Sequence, residues 1–181
     1  DKAEPLYQRA LTLWEKTLGP AHPDTATAVN NLAQLYRLRG QTDKAEPMYK
    51  RALAIREKAL GTTHPDVATS VGNLAALYAG AGKPAEAAVL YQRLLALREK
   101  RLGLNHADVA TAAFNLAEQQ TQLGRLAQAE ILFKRAAQIR QQALGRDHAD
   151  VALTLQRLGD TLTSANKPAE ARKHFDTLIA A

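Results

Sequence analysis

One histidine recurs at a fixed interval along this chain of 181 residues. Each copy stands 42 residues after the one before and opens a similar segment: HPDTATAVNNLAQLY, HPDVATSVGNLAALY, HADVATAAFNLAEQQ or HADVALTLQRLGDTL. A period of about 20 to 50 residues is typical of stacked repeats, in which neighbouring units bury one another's apolar faces. The period therefore predicts a repeat solenoid, and it directs the search for function to the surface of the stack. The four histidines are His22, His64, His106 and His148.

Each repeat is predicted to contain two helices. In the first full repeat, apolar residues recur with the spacing of one helix face, at Val29, Leu32, Ala33 and Tyr36. The second helix has the same spacing at Ala45, Tyr49, Ala52 and Leu53. Alanine makes up about a fifth of the chain and aromatic residues only 5%, which favours close-packed helices over sheets.

The ends of these helices are also marked in the sequence. The segment HPD at residues 22–24 predicts a helix start, because proline is tolerated at the first helical position and aspartate suits the positive end of the helix dipole. Residues that allow a left-handed backbone recur after the first helices, at Gly40, Gly82, Gly124 and Asn166. A second periodic set, which we expect to end the second helices, is Gly19, Gly61, Gly103 and Gly145.

The residues inside each repeat distinguish between repeat families, since the period alone would also fit HEAT or armadillo repeats. The segment NLAQLYRLRGQTDKAEPMYKRAL resembles the tetratricopeptide consensus, with small residues at Ala33, Ala45 and Ala52 and aromatic residues at Tyr36 and Tyr49. Its extra length, the HPDVAT openings and the REKALG endings are similar to tetratricopeptide repeats of the kinesin light chain type. This resemblance implies an all-α, right-handed superhelical solenoid of antiparallel helix pairs, with about nine helices.

We expect a single solenoid domain over residues 1–181, without a linker. Residues 1–21 correspond to the second helix of a partial leading repeat, residues 22–63, 64–105 and 106–147 are full repeats, and residues 148–181 form a shortened last repeat. The incomplete first and last repeats lead us to expect a fragment of a longer chain, with terminal helix faces available for contacts.

The sequence offers no catalytic, metal-binding or cofactor-binding motif. The chain has no cysteine, and this does not distinguish cytosol from periplasm. The segment GAGK at residues 80–83 lacks the first glycine and the Ser or Thr of a phosphate-binding loop. The periodic histidines are expected to cap helices, because successive repeats stand about 10 Å apart and zinc ligands must lie about 2 Å from the metal. We therefore predict a protein that is not an enzyme and needs no cofactor.

The resemblance also implies where a ligand would bind, because the first helix of each tetratricopeptide repeat lines the concave face. The corresponding positions here, which form the predicted peptide-binding groove, are Thr27, Asn30, Asn31, Gln34, Arg37, Thr69, Gly72, Asn73, Ala76, Thr111, Phe114, Asn115, Glu118 and Arg157. The same wall includes Ala79, Thr121, Gln156 and Asp160.

Three asparagines in this groove recur with the repeat: Asn31, Asn73 and Asn115. Each side-chain amide offers both a donor and an acceptor, and asparagine is a mediocre helix former, so its presence in mid-helix suggests a role. The amides could bind locally to the helix or to a neighbouring loop. Similar asparagines in kinesin light chain type repeats contact peptide backbone, which favours the binding interpretation.

Two non-periodic features of the groove leave alternatives open. The middle repeat carries Gly72, Ala76 and Ala79 where its neighbours have larger residues, which predicts either a hollow beside Phe114 and Leu38 or an alanine-rich helix without a binding role. In the last repeat Arg157 replaces the asparagine, so it could receive a ligand carboxylate or pair with Asp160 at i+3.

The favoured interpretation is a non-catalytic scaffold that binds an extended peptide segment of a protein partner in the concave groove. The alternative is an assembly module that self-associates through terminal helices or the convex face. The chain has a net charge of +6, but much of it recurs with the repeat on the predicted outer helices, so nucleic-acid binding is not expected. No stretch approaches 18 consecutive apolar residues, so no membrane partner is expected either. The basic ladder on those helices, expected to be mostly solvated, is Arg9, Arg51, Arg93 and Arg135.

Overall fold

The computed structural model describes residues 3–167 and 169–172, and the described part of the chain is helical with short connections. Residues 169–172 are helical where the sequence predicts a ninth helix. None of the helices in the described part is long and apolar enough to cross a bilayer. The eight complete helices are α1 (Ala3–Thr17), α2 (Pro23–Leu38), α3 (Thr42–Leu60), α4 (Pro65–Gly80), α5 (Pro84–Leu102), α6 (Ala107–Gln122), α7 (Leu126–Leu144) and α8 (Ala149–Ser164).

The chain divides into two compact units, residues 1–83 and 84–181. In the first unit α1 packs on α2, α2 on α3 and α3 on α4, and α2 also touches α4. In the second unit α5 packs on α6, α6 on α7 and α7 on α8. The even-numbered helices are the first helices of the repeats, and the odd-numbered helices are the second helices.

The four periodic histidines begin the even-numbered helices, as the sequence predicts. Each has an extended backbone, and its Nδ1 accepts the backbone N–H of the aspartate two residues later at 3.1 to 3.2 Å. This bond satisfies one of the donors that a helix start leaves free. The helix stops are confirmed too, because Gly40, Gly82, Gly124 and Asn166 all have positive φ angles, between 58° and 72°.

Small residues let the helices approach one another closely. Ala45, Ala87 and Ala129, one position of the repeat, are completely buried. Larger side chains fill the space around them, notably Tyr49 in the first unit and Phe133 in the second. In the second unit Phe133 packs in one cluster with Leu158 and Leu162 of the last repeat, so neighbouring repeats build a shared core.

Ion pairs also connect successive repeats within each unit. Glu130 of α7 accepts hydrogen bonds from Lys134 at 2.6 Å and from Lys167 at 2.7 Å, and these bonds hold the pKa of Glu130 below its ordinary value. In the first unit Glu46 has the same position in the repeat and accepts bonds from Lys50 at 2.7 Å and from the Tyr78 hydroxyl at 2.9 Å. We call these two groups of contacts the Glu130 clamp and the Glu46 clamp, because each connects one repeat to the next.

Two of the four arginines in the basic ladder are less solvated than the sequence suggested, whereas Arg9 is exposed as expected. Arg51 of α3 donates to Glu15 of α1 at 2.6 Å, and Arg135 of α7 donates to Glu99 of α5. Both arginine side chains are half-buried in these pairs. Neutralisation by a periodic glutamate removes much of the reason to expect an acidic polymer as a partner.

Candidate functional site

In the first unit the predicted groove residues lie on α2 and α4, which touch each other. The side-chain amide of Asn73 donates a hydrogen bond to Oδ1 of Asn30 at 2.9 Å. Asn30 is only 7% exposed and Asn73 is half-buried. The bond uses one acceptor of Asn30 and one donor of Asn73, so the carbonyl oxygen of Asn73 and further amide donors of the pair keep free hydrogen-bonding capacity.

The periodic ladder of amides is therefore not a set of equivalent residues. Asn73 binds Asn30, whereas among the described residues no side chain pairs with the amides of Asn31 or Asn115, which are both half-buried. The position of Asn30 carries Gly72 and Phe114 in the next two repeats. The last repeat has Gln156 at this position, but two of the four repeats have no amide there, so the fold of the repeat does not require one.

A buried arginine that the sequence did not indicate as a site residue, Arg56, forms hydrogen bonds with both α2 and α4. Arg56 of α3 is only 5% exposed, and its guanidinium donates to the backbone oxygen of Asp66 at 3.1 Å, to Ser70 at 2.8 Å and to the hydroxyl of Thr27 at 3.0 Å. Burial lowers the pKa of Arg56, although an arginine remains charged in proteins. Arg56 of α3 thus connects Thr27 of α2, a predicted groove residue, with Ser70 of α4.

The other predicted groove residues of the first unit form the accessible part of this face. Gln34 and Thr69 are exposed, and Arg37, Gly72, Ala76 and Ala79 are half-buried. Gly72, which has no side chain, and Ala76 lie near Asn73 in the sequence of α4. A hollow at this point, with the residues that would border it, stays a prediction.

In the second unit Arg140 is likewise buried and forms hydrogen bonds with the next first helix, α8. Arg140 of α7 donates to the backbone oxygen of Asp150 at 3.1 Å and to the hydroxyl of Thr154 at 2.6 Å, and its guanidinium stands 4.7 Å from the centre of the Phe114 ring. The Phe114 ring also meets Phe133 edge to face, with centroids 5.4 Å apart. Phe114 is thus half-buried and anchored within its own unit.

A signal for these arginines does exist in the sequence. Arg56 and Arg140 are each followed fourteen residues later by a hydroxyl residue, Ser70 or Thr154, which accepts their bond. Arg98 has Ala112 at that position and, within the described part of the chain, donates to the Asp108 backbone oxygen at 2.8 Å but to no side-chain hydroxyl. The pairing of Arg with Ser or Thr would have identified the two buried arginines.

The second unit also contains a pocket between α6 and α8, with a volume of about 120 Å³. Nε of Arg157 lies 3.2 Å from a carboxylate oxygen of Glu118, and its terminal nitrogen lies 4.0 Å from Asp160. The expected pairing with Asp160 at i+3 is therefore present but long, and the closer partner of Arg157 is Glu118 of the preceding repeat. Binding of a ligand carboxylate by Arg157 stays a prediction. Thr111 is exposed and lies outside the residues that line this pocket, which are Glu118, Thr121, Gln122, Phe133, Arg157, Asp160 and Thr161.

A family model described as tetratricopeptide repeat matches residues 1–58, 29–100 and 108–181. The chain belongs to the tetratricopeptide repeat family. Its fold class is therefore that of an all-α repeat solenoid. Tetratricopeptide repeats are typical of protein–protein interaction scaffolds, and such families are generally not enzymatic. A search of curated proteins found no match.

Solved structures with the same fold include tetratricopeptide repeats of the kinesin light chain type. TPR-like repeats attributed to a kinesin light chain of Podosopora anserina are 24% identical with a TM-score of 0.86, over 99% of this chain and 85% of that one. BtubC (BKLC) from P. vanneervenii is 29% identical with a TM-score of 0.88, over 99% and 71% of the two chains. RapI in its apo form is only 16% identical, with a TM-score of 0.81 over 96% of this chain and 46% of that one, and shows the fold alone.

No group of three or more histidine, aspartate or glutamate side chains in the described residues could hold a metal ion. The predicted groove residues on α2 and α4, and those on α6 and α8, offer amides, hydroxyls, carboxylates and guanidinium groups on helices. These groups can donate and accept hydrogen bonds to a ligand, and they do so from elements that the repeat packing holds in place.

Proposed function

We propose that this tetratricopeptide repeat chain is a non-catalytic scaffold that binds an extended peptide segment of a partner protein on the faces of its first helices. We name these faces by their helices: the α2–α4 face of the first unit and the α6–α8 face of the second. An extended peptide carries unpaired backbone N–H and C=O groups, which need partners when the peptide is taken from water.

The observation that carries the proposal is the Asn30–Asn73 pair. A mid-helix amide that is almost wholly buried costs helix propensity and desolvation, and Asn30 occupies a position where the next two repeats of this chain have glycine and phenylalanine. The pair orients both amides and leaves hydrogen-bonding groups for a ligand. A polar device that the repeat does not require is better explained by binding than by folding.

The lining of the α6–α8 face supports the same function with different chemistry. Glu118 and Arg157 hold each other across the pocket and are both partly exposed, so they can exchange their mutual contact for contacts with a ligand. Two faces with different polar groups would read two different features of a peptide, which suits a scaffold selective for sequence.

The test is a selection of ligands from a random-peptide display library, followed by titration of the best peptide. The variants are Asn30→Ala and Asn73→Ala, and the matched control is Gln138→Ala, an exposed amide on the outer helix α7. The proposal predicts that both groove variants keep their helical circular dichroism and bind the peptide severalfold more weakly, while Gln138→Ala binds as the parent does. Equal affinity of all four proteins would overturn the groove assignment.

A second function is favoured by one specific observation on α1. Leu6 and Leu13 of α1 are 66% and 51% exposed, and Leu18, directly after the helix, is 44% exposed. Tyr7 is 37% exposed, whereas Tyr49 at the equivalent position of α3 is 1% exposed. Such a face suits the assembly interpretation, in which α1 packs on another protein molecule. Light scattering over a concentration series tests it, since self-association through α1 raises the mean mass, and Leu6→Glu with Leu13→Glu restores the monomer.

A further inference from the structure

We infer that the pocket between α6 and α8 is a subsite for a lysine or arginine side chain of the bound peptide. The inference deepens the proposed function and rests on it, because the basic side chain reaches the pocket as part of a peptide on the α6–α8 face. The pocket volume of about 120 Å³ is well above the about 10–15 Å³ that a single water needs, so the pocket admits the end of a side chain.

The charges around the pocket do not balance. Two carboxylates, from Glu118 and Asp160, face one guanidinium, from Arg157. One net negative charge is therefore left in a chain whose overall charge is +6. A cationic side chain entering the pocket neutralises that charge, whereas an anionic one would meet two carboxylates and compete with them for Arg157.

The hydroxyl groups of the pocket point to the same class of ligand. The hydroxyl of Thr121 donates to the backbone oxygen of Ala117 at 3.0 Å, and that of Thr161 donates to the backbone oxygen of Arg157 at 2.8 Å. Each hydroxyl has only one proton, so both present acceptor lone pairs to the pocket. A lysine ammonium brings three donors and an arginine guanidinium five, and neither brings an acceptor.

The pocket is also a departure from the repeat. The positions of Glu118 and Asp160 carry Gln34 and Ala76 on the α2–α4 face, and the position of Arg157 carries Asn73. The buried Phe133 has the buried Tyr49 as its counterpart. The aromatic residue at the base of the pocket therefore recurs with the repeat, whereas the charged residues around it do not. Carboxylates that the repeat does not require, gathered around a cavity with an aromatic floor, indicate recognition of a cation rather than support of the fold.

The experiment compares the peptides selected by three proteins from the same random-peptide display library. They are the parent chain, Glu118→Gln with Asp160→Asn, and a control with the same change in net charge, Glu86→Gln with Asp147→Asn, at two exposed positions away from the pocket. We expect peptides selected by the parent and by the control to be enriched in lysine or arginine at one position, and the pocket variant to lose that preference.

Titration then measures the effect on one peptide. Replacing the selected basic residue by methionine should weaken binding to the parent by about fivefold, as expected for a partly exposed ion pair, and leave binding to the pocket variant unchanged. The difference should shrink as salt is added. A reversed variant, Glu118→Arg, should select acidic residues at the same position of the peptide.

The possible failures can be told apart. If the parent selects no peptide at all, both the proposed function and this subsite are overturned. If the parent selects peptides that lose affinity in Asn73→Ala but show no basic preference, or a preference that the pocket variant keeps, the proposed function stands and the subsite is overturned.

Discussion

Asn73 donates its side-chain hydrogen bond to Asn30 and not to Asn31, its equivalent one repeat earlier. The two paired residues are one position out of register with the repeat, so the contact comes from the stagger of α4 against α2. The consequence is a half-buried amide of fixed orientation on the α2–α4 face. Its orientation determines which groups a ligand meets, and this makes the pair the centre of the proposed binding site.

The buried Arg56 should matter more to stability than its half-buried counterpart Arg98. Arg56→Ala removes the donor that satisfies Ser70, Thr27 and the Asp66 backbone oxygen, and leaving buried partners unsatisfied costs about 1–3 kcal/mol. The matched variant Arg98→Ala loses one such bond and should cost less. Urea denaturation of the two variants measures the difference, and equal losses would show that the hydroxyl contacts of Arg56 add no stability.

The shared alanine position should not tolerate a larger side chain. Ala129→Leu places extra methyl groups where α7 packs on its neighbours, and overpacking of this kind costs about 1–3 kcal/mol. Ala127→Leu, two residues earlier on an exposed part of the same helix, should change the free energy of unfolding by no more than about 0.5 kcal/mol. An unchanged denaturation midpoint for Ala129→Leu would contradict the close packing at this position.

The Glu130 clamp predicts a loss of stability in acid. Hydrogen bonds from Lys134 and then Lys167 hold the pKa of Glu130 below its ordinary value of 4.5 in the folded chain. The folded state therefore favours the ionised carboxylate, so its contribution is present above pH 4.5 and is lost as the pH falls through the lower folded value.

The measurement is the free energy of unfolding against pH for the parent and for Glu130→Gln. The difference between the two proteins should be largest near neutral pH and shrink in acid, whereas the control Glu86→Gln, at an exposed residue, should follow the parent throughout. A constant difference between Glu130→Gln and the parent over the acid range would mean that the clamp does not depend on ionisation.

The histidine caps should contribute to helix stability in a way that another capping residue can replace. His148→Ala removes the acceptor for the Asp150 backbone N–H, and loss of an N-cap costs about 0.5–2 kcal/mol. His148→Asn, which keeps a capping acceptor, should restore most of the loss. Thermal unfolding followed by circular dichroism compares the three proteins, and no recovery in His148→Asn would indicate a role other than capping.

Much of the fold could be predicted from the sequence because it depends on local signals that repeat. The helix starts at the histidines and the left-handed stops at Gly40, Gly82 and Gly124 are set by residues within a few positions of each other. Four copies of each signal also remove the ambiguity that a single copy would leave. Family membership followed from the same internal pattern of small and aromatic residues.

The details of the site could not be predicted in the same way, because a period gives equivalent positions and not contacts. Asn30 meets Asn73 at 43 residues, and Glu118 meets Arg157 at 39, so neither pair follows the repeat of 42. The offset depends on how far one helix is shifted along the next. Likewise the burial of Arg56 could not be predicted from its periodic position, which it shares with Arg98 and Arg140. Sequence spacing does not determine which groups the end of a long side chain contacts.

The most direct test of peptide binding on the α2–α4 face is the nuclear magnetic resonance signal of the side-chain amides. The signals of Asn30, Asn73 and the control Gln138 are assigned from the three alanine variants, and a library-selected peptide is added to saturation. The proposed function predicts that the Asn30 and Asn73 side-chain signals shift while the Gln138 signal does not. A peptide that binds and shifts the amide of Gln138 on the outer helix, with Asn30 and Asn73 unmoved, would contradict it.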